Sequence, residues 1–231
     1  VKRLFWFGLL IAGATHVPSA YADTPEQRGF QVFRQVCSAC HSLNHVAYAD
    51  LSGLGFSTDK IKEYAAQHQV ADGLDDDGDP KTRTAKPTDM IGSPYPSEAV
   101  ARMANHGDVP PDFSRRGVTQ KGGVGWIAHM LQSYGPPPAG KVLRPGSYYN
   151  TAMPHGHIGM PPPLHDKQIY YQDGTPATVA QMSQDIAAFL YWVATPHLAT
   201  RHKVGGFVLA YLSVMTLLVL TLKRRVWKRL K

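Results

Sequence analysis

Cys37-Ser38-Ala39-Cys40-His41 holds the only two cysteines of the chain, three positions apart, with a histidine directly behind the second. That spacing is the pattern of c-type haem attachment. Two thiols three residues apart can add to the two vinyl groups along one edge of a haem. The next residue then places an imidazole nitrogen under the iron. Three other chemistries share part of the pattern. A zinc site needs two further ligands at matched spacing, and there is no second cysteine pair. A thioredoxin-like redox pair needs a strand before it and a βαβ unit around it, which the flanking sequence does not offer. A structural disulfide is the third.

Working outward, Thr24-Pro25-Glu26-Gln27 reads as a helix start. Thr24 is the cap, Pro25 suits the first turn, and Gln27 completes a capping box. Phe30, Phe33, Val36 and Cys37 then share one helical face, so this helix delivers the cysteines. Residues 58–69 predict a second helix, with Ile61, Tyr64, Ala65 and His68 on one side. The acidic run Ala71 to Pro80 fails the calcium-loop pattern. With Gly78 as the turn glycine, the first and last ligand positions fall on Gly73 and Thr84. It reads as a solvated acidic loop, or as a docking patch for a basic redox partner.

Ser97 to His106 predicts a short helix ended by Gly107. Pro110-Pro111-Asp112-Phe113-Ser114 is a stiff non-helical turn. Arg115 and Arg116 follow, and either could neutralise a haem propionate. Trp126, Ile127, Met130, Leu131 and Tyr134 mark a helix stopped by Gly135 and three prolines. Thr178 to Val193 is the last helix before the C-terminal segment, with a capping box at Thr178 and Gln181 and an apolar face of Met182, Ile186, Phe189, Leu190 and Val193. No convincing strand and no internal repeat are visible, so the class is all-α with long loops.

The net charge of +7 comes from the two ends. Lys2 and Arg3 lie at one end, and Lys223, Arg224, Arg225, Lys228, Arg229 and Lys231 at the other. The body between them is close to neutral, which argues against a nucleic-acid surface. Residues 1–22 have the form of a secretory signal: a basic start, an apolar run from Leu4 to Ala14 too short to span, and Ala20-Tyr21-Ala22 for cleavage. Residues 204–222 carry no charge and are long enough to cross a bilayer. The basic cluster behind them places residues 223–231 in the cytoplasm. The expected organisation is therefore a signal (1–22), an exported haem domain (23–196), a linker (197–203), a transmembrane helix (204–222) and a basic tail (223–231). It puts Cys37 and Cys40 on the exported side of the membrane.

A second axial ligand would complete the iron. A methionine there raises the reduction potential. Met215 lies in the anchor, and Met103, Met130 and Met182 fall on helices as core. Met90, Met153 and Met160 fall in loops. Pro161-Pro162-Pro163 stiffens the chain behind Met160 and favours it. Met153 also precedes a proline, and His155, His157 and His165 remain rivals that would give a bis-histidine site.

The chain resembles the cytochrome c1 family along essentially its whole mature length. The resemblance is carried by Arg28-Gly29-Phe30-Gln31-Val32-Phe33 before the haem motif, Pro110 to Ser114, Tyr148-Tyr149-Asn150, Ile158-Gly159-Met160-Pro161-Pro162-Pro163-Leu164, and Met182-Ser183-Gln184-Asp185. It implies a cytochrome c-like haem domain with one C-terminal transmembrane helix, in the inner membrane, facing the periplasm. It implies one covalent haem c on Cys37 and Cys40, with His41 and Met160 as axial ligands of the iron. It further implies electron flow from a Rieske iron–sulfur protein to a soluble or membrane-bound cytochrome c, beside cytochrome b in the bc1 complex, with no catalytic site of its own. The chain departs from the family a few positions beyond Ser114, where the family usually carries a basic residue. Val118-Thr119-Gln120 stands there, which leaves Arg115, Arg116 and Lys121 as propionate partners. The competing functions are an anchored c-type cytochrome serving another oxidase or a periplasmic dehydrogenase, and a haem enzyme with an open iron site.

Overall fold

A computed structural model describes residues 23–229. The signal expected at 1–22 lies outside the described residues. In chain order the elements are α1 (Pro25–Gln35), a 3-10 turn (Cys37–Ala39), β1 (Leu43–Ala47), a 3-10 segment (Tyr48–Leu54) and α2 (Thr58–Ala66). Next come β2 (Gln69–Leu74), β3 (Pro80–Thr84), β4 (Met90–Ile91), α3 (Glu98–Ala104), α4 (Arg116–Thr119) and α5 (Gly123–Leu131). β5 (Tyr148–Tyr149), β6 (His157–Ile158), α6 (Val179–Ala194) and α7 (Leu198–Arg229) complete the order. The protein is mostly helical, as expected.

α6 is the axis of the haem domain, with Met182, Ile186, Phe189, Leu190 and Val193 all buried. α1 lies directly against it because Gly29 has no side chain. A Cβ there would strike the carbonyl of Asp185. α4 approaches the same way, since a Cβ on Gly117 would strike the carbonyl of Leu190. Between α1, α2 and α6 the core is aromatic. Phe30 lies 5.2 Å from Phe56, 5.3 Å edge-on to Tyr64 and 5.6 Å from Phe189, ring centre to ring centre. These spacings suit tilted and edge-to-face pairing.

α1 and α6 are tied to one another by charge. Arg28 donates Nε and Nη2 to the two carboxylate oxygens of Asp185 at 3.1 and 3.0 Å, and Nη1 to Asp173 at 3.1 Å. The Asp185 side chain is 1% exposed. The capping box at Thr24 forms in full: the Gln27 amide N–H donates to Thr24 Oγ1, and the Thr24 N–H to Gln27 Oε1. At α6 only half of one forms. Thr178 caps Gln181, but the Gln181 side chain turns to donate to Asp185 instead. The Thr178 N–H, which a full box would give to that side chain, donates instead to the Pro176 carbonyl at 2.9 Å.

The absence of strands expected above is overturned. Three antiparallel two-stranded ribbons are present: β1 with β4, β2 with β3, and β5 with β6. The acidic run is the β2–β3 hairpin, turned by Gly73 and Gly78 at positive φ. Asp75 Oδ1 accepts from the N–H groups of Asp77 and Asp79. Because Gln69 enters β2, α2 ends at Ala66, short of residue 69. Met90 sits in β4 and not in a loop, and Met103 is 85% exposed and not core. The segment expected as linker is largely helical: α7 starts at Leu198, and only Thr195, Pro196 and His197, the last at φ 58°, separate it from α6.

Candidate haem-binding site

Cys37 opens the 3-10 turn behind α1, and the turn closes on itself. The N–H groups of Cys40 and His41 both donate to the Cys37 carbonyl, at 3.1 and 2.9 Å. This brings the two unpaired thiols and the imidazole onto one bend. Burial pushes the Cys37 thiol up to about 12, with Cys40 adding to it. A thiol used in redox exchange is tuned in the opposite direction.

His41 is 8% exposed. Its Nδ1 lies 2.8 Å from the Pro111 carbonyl, which can only accept, so Nδ1 carries the proton. Nε2 therefore keeps its lone pair, as a metal ligand requires. Burial lowers the imidazole pKa. The charge of Arg116 adds to this, while Pro111 and Asp112 oppose it. The ring stacks on Phe113 with centres 3.9 Å apart and planes 16° apart.

The segment from Pro110 to Ser114 is fastened to the stretch after His41 by a carboxylate. Asp112 Oδ2 accepts from the Ser42 hydroxyl at 2.8 Å and the Asn44 N–H at 2.7 Å, and Oδ1 accepts from the Ser114 N–H at 2.9 Å. The Phe113 N–H donates to the Ser42 carbonyl, and the His45 N–H to Ser114 Oγ. Burial alone would raise the Asp112 pKa, but these donors hold it below the usual carboxylate range. The Tyr95 phenol borders the Cys40 sulfur, and Asn105 Nδ2 donates to its hydroxyl at 3.1 Å. Asp112, Phe113 and Tyr95 are working neighbours of the motif that sequence reasoning left without a role there. A stiff Pro-Pro-Asp turn was the available signal for the first two.

Met160 lies two residues past the end of β6, behind Gly159, and is partly buried. Its carbonyl accepts from the Tyr134 hydroxyl at 3.1 Å. Of its rivals, His155 and His165 are exposed. His157 is partly buried, and its Nδ1 is enclosed with no hydrogen-bond partner. It lines a cavity of about 410 Å³ with Met153, Ile158, Gly159 and the ion pair of Asp108 and Arg144. Arg115 and Arg116 separate: Arg116 is half-buried and acts on His41 by its charge, while Arg115 is exposed, as is Lys121.

The donor set fits a c-type haem: two free thiols and a proton-fixed histidine on one turn, with a methionine loop held beside a helix. The family model of the cytochrome C1 family matches residues 15–230. The chain belongs to the cytochrome c1 family. It is 42% identical over 226 residues to cytochrome c1 of Rhodospirillum rubrum, covering 90% of this chain and 83% of that protein. It is 41% identical to cytochrome c1-2, heme protein, mitochondrial, of Solanum tuberosum, covering 92% of this chain and 82% of the relative. It is also 41% identical to cytochrome c1, heme protein, mitochondrial, of Saccharomyces cerevisiae, covering 89% and 67%. Cytochrome c1 proteins are electron-transfer haem proteins with a C-terminal membrane helix, and α7 is the one helix among the described residues long and apolar enough to cross a membrane.

Proposed function

We propose that this chain is the electron-transfer subunit of a quinol–cytochrome c reductase. In this reading it takes electrons singly from a Rieske iron–sulfur protein and passes them to a soluble or membrane-bound cytochrome c, beside cytochrome b in the membrane. The haem supplies an iron that cycles between ferrous and ferric states. Everything else is the work of the chain. Cys37 and Cys40 would hold the group covalently, and His41 Nε2 and the Met160 thioether would ligate its iron. Arg116 is the better placed propionate partner than Arg115 because it already acts on the pocket. The haem domain lies on the periplasmic side of an inner membrane, exported by the segment at 1–22 and anchored by α7.

The observation that carries this reading is the Nδ1 proton of His41 fixed on the Pro111 carbonyl directly behind the two thiols. It leaves the Nε2 lone pair free for a metal. Acid–acetone extraction of the membrane-purified protein should leave the porphyrin bound to the chain, and a Cys37→Ser, Cys40→Ser double variant should lose it. Mild-detergent isolation should bring down a b-type cytochrome and an iron–sulfur subunit. Arrival of the haem chain with an oxidase or a dehydrogenase would support a different assembly.

The enclosed, unpartnered Nδ1 of His157 favours a second reading, in which His157 and not Met160 is the sixth ligand. Met160→Leu decides between them. Under the first reading the weak far-red band of a His/Met ferric haem disappears, the reduction potential falls and the ferrous iron opens to carbon monoxide. An unchanged potential would remove Met160 from the iron.

A further inference from the structure

We infer that Tyr134 is a positioning residue for the axial methionine, setting how firmly the Met160 thioether is held. The inference rests on Met160 being the sixth ligand. A thioether is a weak iron ligand and stays bound only if its backbone has few other places to go. The backbone after Met160 is Pro161-Pro162-Pro163, which offers no N–H with which to fasten itself. The Tyr134 hydroxyl, 3.1 Å from the Met160 carbonyl, grips the chain at the ligand residue itself.

Tyr134 can do this because it is itself held in a frame. It follows the end of α5 and bridges to Asn150 in antiparallel fashion. Asn150 is 0% exposed. Its Nδ2 donates to the Met130 carbonyl of α5 at 2.8 Å, and its N–H to the Gly156 carbonyl at 3.2 Å. The Thr151 N–H donates to the Ser133 carbonyl. β5 pairs with β6, Tyr148 opposite Ile158 and Tyr149 opposite His157, and β6 leads through Gly159 into Met160. α5, the Asn150 corner and the β5–β6 ribbon therefore form one closed loop, with the Tyr134 hydroxyl as its last link to the ligand. A phenol is suited to the link because it is rigid and its ring is mostly removed from water, which also pushes its pKa up and keeps it a donor.

The test uses the full-length ferric holoprotein and exogenous imidazole as a competitor for the methionine position. The apparent affinity for imidazole is set by the fraction of molecules with the thioether off. Tyr134→Phe removes only the hydroxyl, and its loss should raise that affinity about five- to tenfold. It should also lower the reduction potential while leaving the far-red band present without competitor. Thr178→Ala, which weakens the cap of α6, should lose stability and leave imidazole binding unchanged, separating a grip on Met160 from general loosening. If Tyr134→Phe binds imidazole as the parent does, while Met160→Leu abolishes the band, Tyr134 has no such role and the Met160 ligation stands. If Met160→Leu keeps the band, both fall.

Discussion

Arg28 makes four side-chain hydrogen bonds from a position where its side chain is only 12% exposed. Its guanidinium meets Asp185 bidentately, Asp173 by a third bond and the Asp23 carbonyl by a fourth at 2.7 Å. The exchange it enters is unforgiving: charges out of water are tolerable only while all partners are present. Arg28→Met should therefore cost about 3–5 kcal/mol in chemical denaturation. The pH dependence fixes the cause. Burial works to raise the Asp173 pKa, but the Thr175 N–H, its hydroxyl and Arg28 hold it below the ordinary carboxylate value. A depressed carboxylate contributes stability that is complete above its unfolded pKa, about 3.9, and is lost as pH falls through its lower folded value. The parent should thus weaken in acid below about pH 4. In Arg28→Met the carboxylates left behind would gain by protonation, so the gap between variant and parent should narrow as pH falls. A gap that stays constant with pH would locate the loss in packing and not in charge.

Between elements, the close contacts are made by what is missing. Gly29 lets α1 touch the backbone of α6, and the obstacle to any larger residue is the rigid carbonyl of Asp185. Gly29→Ala should cost about 1–3 kcal/mol because neither helix can yield without disturbing the aromatic cluster at Phe30. Gly125, inside α5, faces open space. Gly125→Ala should gain up to about 1 kcal/mol from helix propensity and a less flexible unfolded chain. Paired thermal melts read both signs. The same level explains what the sequence made legible. The helices announced themselves by apolar period and caps: Thr24, Ser97 and Thr178 each cap the helix expected of them. The ribbons did not, because β4, β5 and β6 are two residues each and carry no alternation to read. Met103 was misplaced because a seven-residue helix turns too little of its surface inward to reach it. Within the site, the candidate ligands were visible as motif. Their supports were not, since Asp112, Tyr134 and Asn150 act across 70, 26 and 20 positions.

At the scale of the molecule, one helix decides where the chemistry happens. α7 has 32 residues, or about 48 Å at 1.5 Å per residue. A hydrocarbon core is about 30 Å thick. The charge-free stretch from 204 to 222 matches that thickness, at about 28 Å. Within α7, Leu198 to Lys203 precede it and the basic cluster follows it. In that cluster Lys223 lies 4.9 Å over the ring of Trp227. The apolar window of α7 has no part buried against the rest of the chain. Leu212 and Val219 are exposed on it, so replacing them tests insertion without touching the haem domain. Each arginine at the centre of a spanning helix costs about 2.5–3.5 kcal/mol. Leu212→Arg with Val219→Arg should therefore move the chain from the pellet to the supernatant of a carbonate wash, with its haem spectrum intact. Retention in the pellet would mean that contacts with partner subunits, and not α7 in lipid, hold the protein at the membrane. Loss of the spectrum would mean that the two halves, joined through Thr195, Pro196 and His197, are coupled in folding.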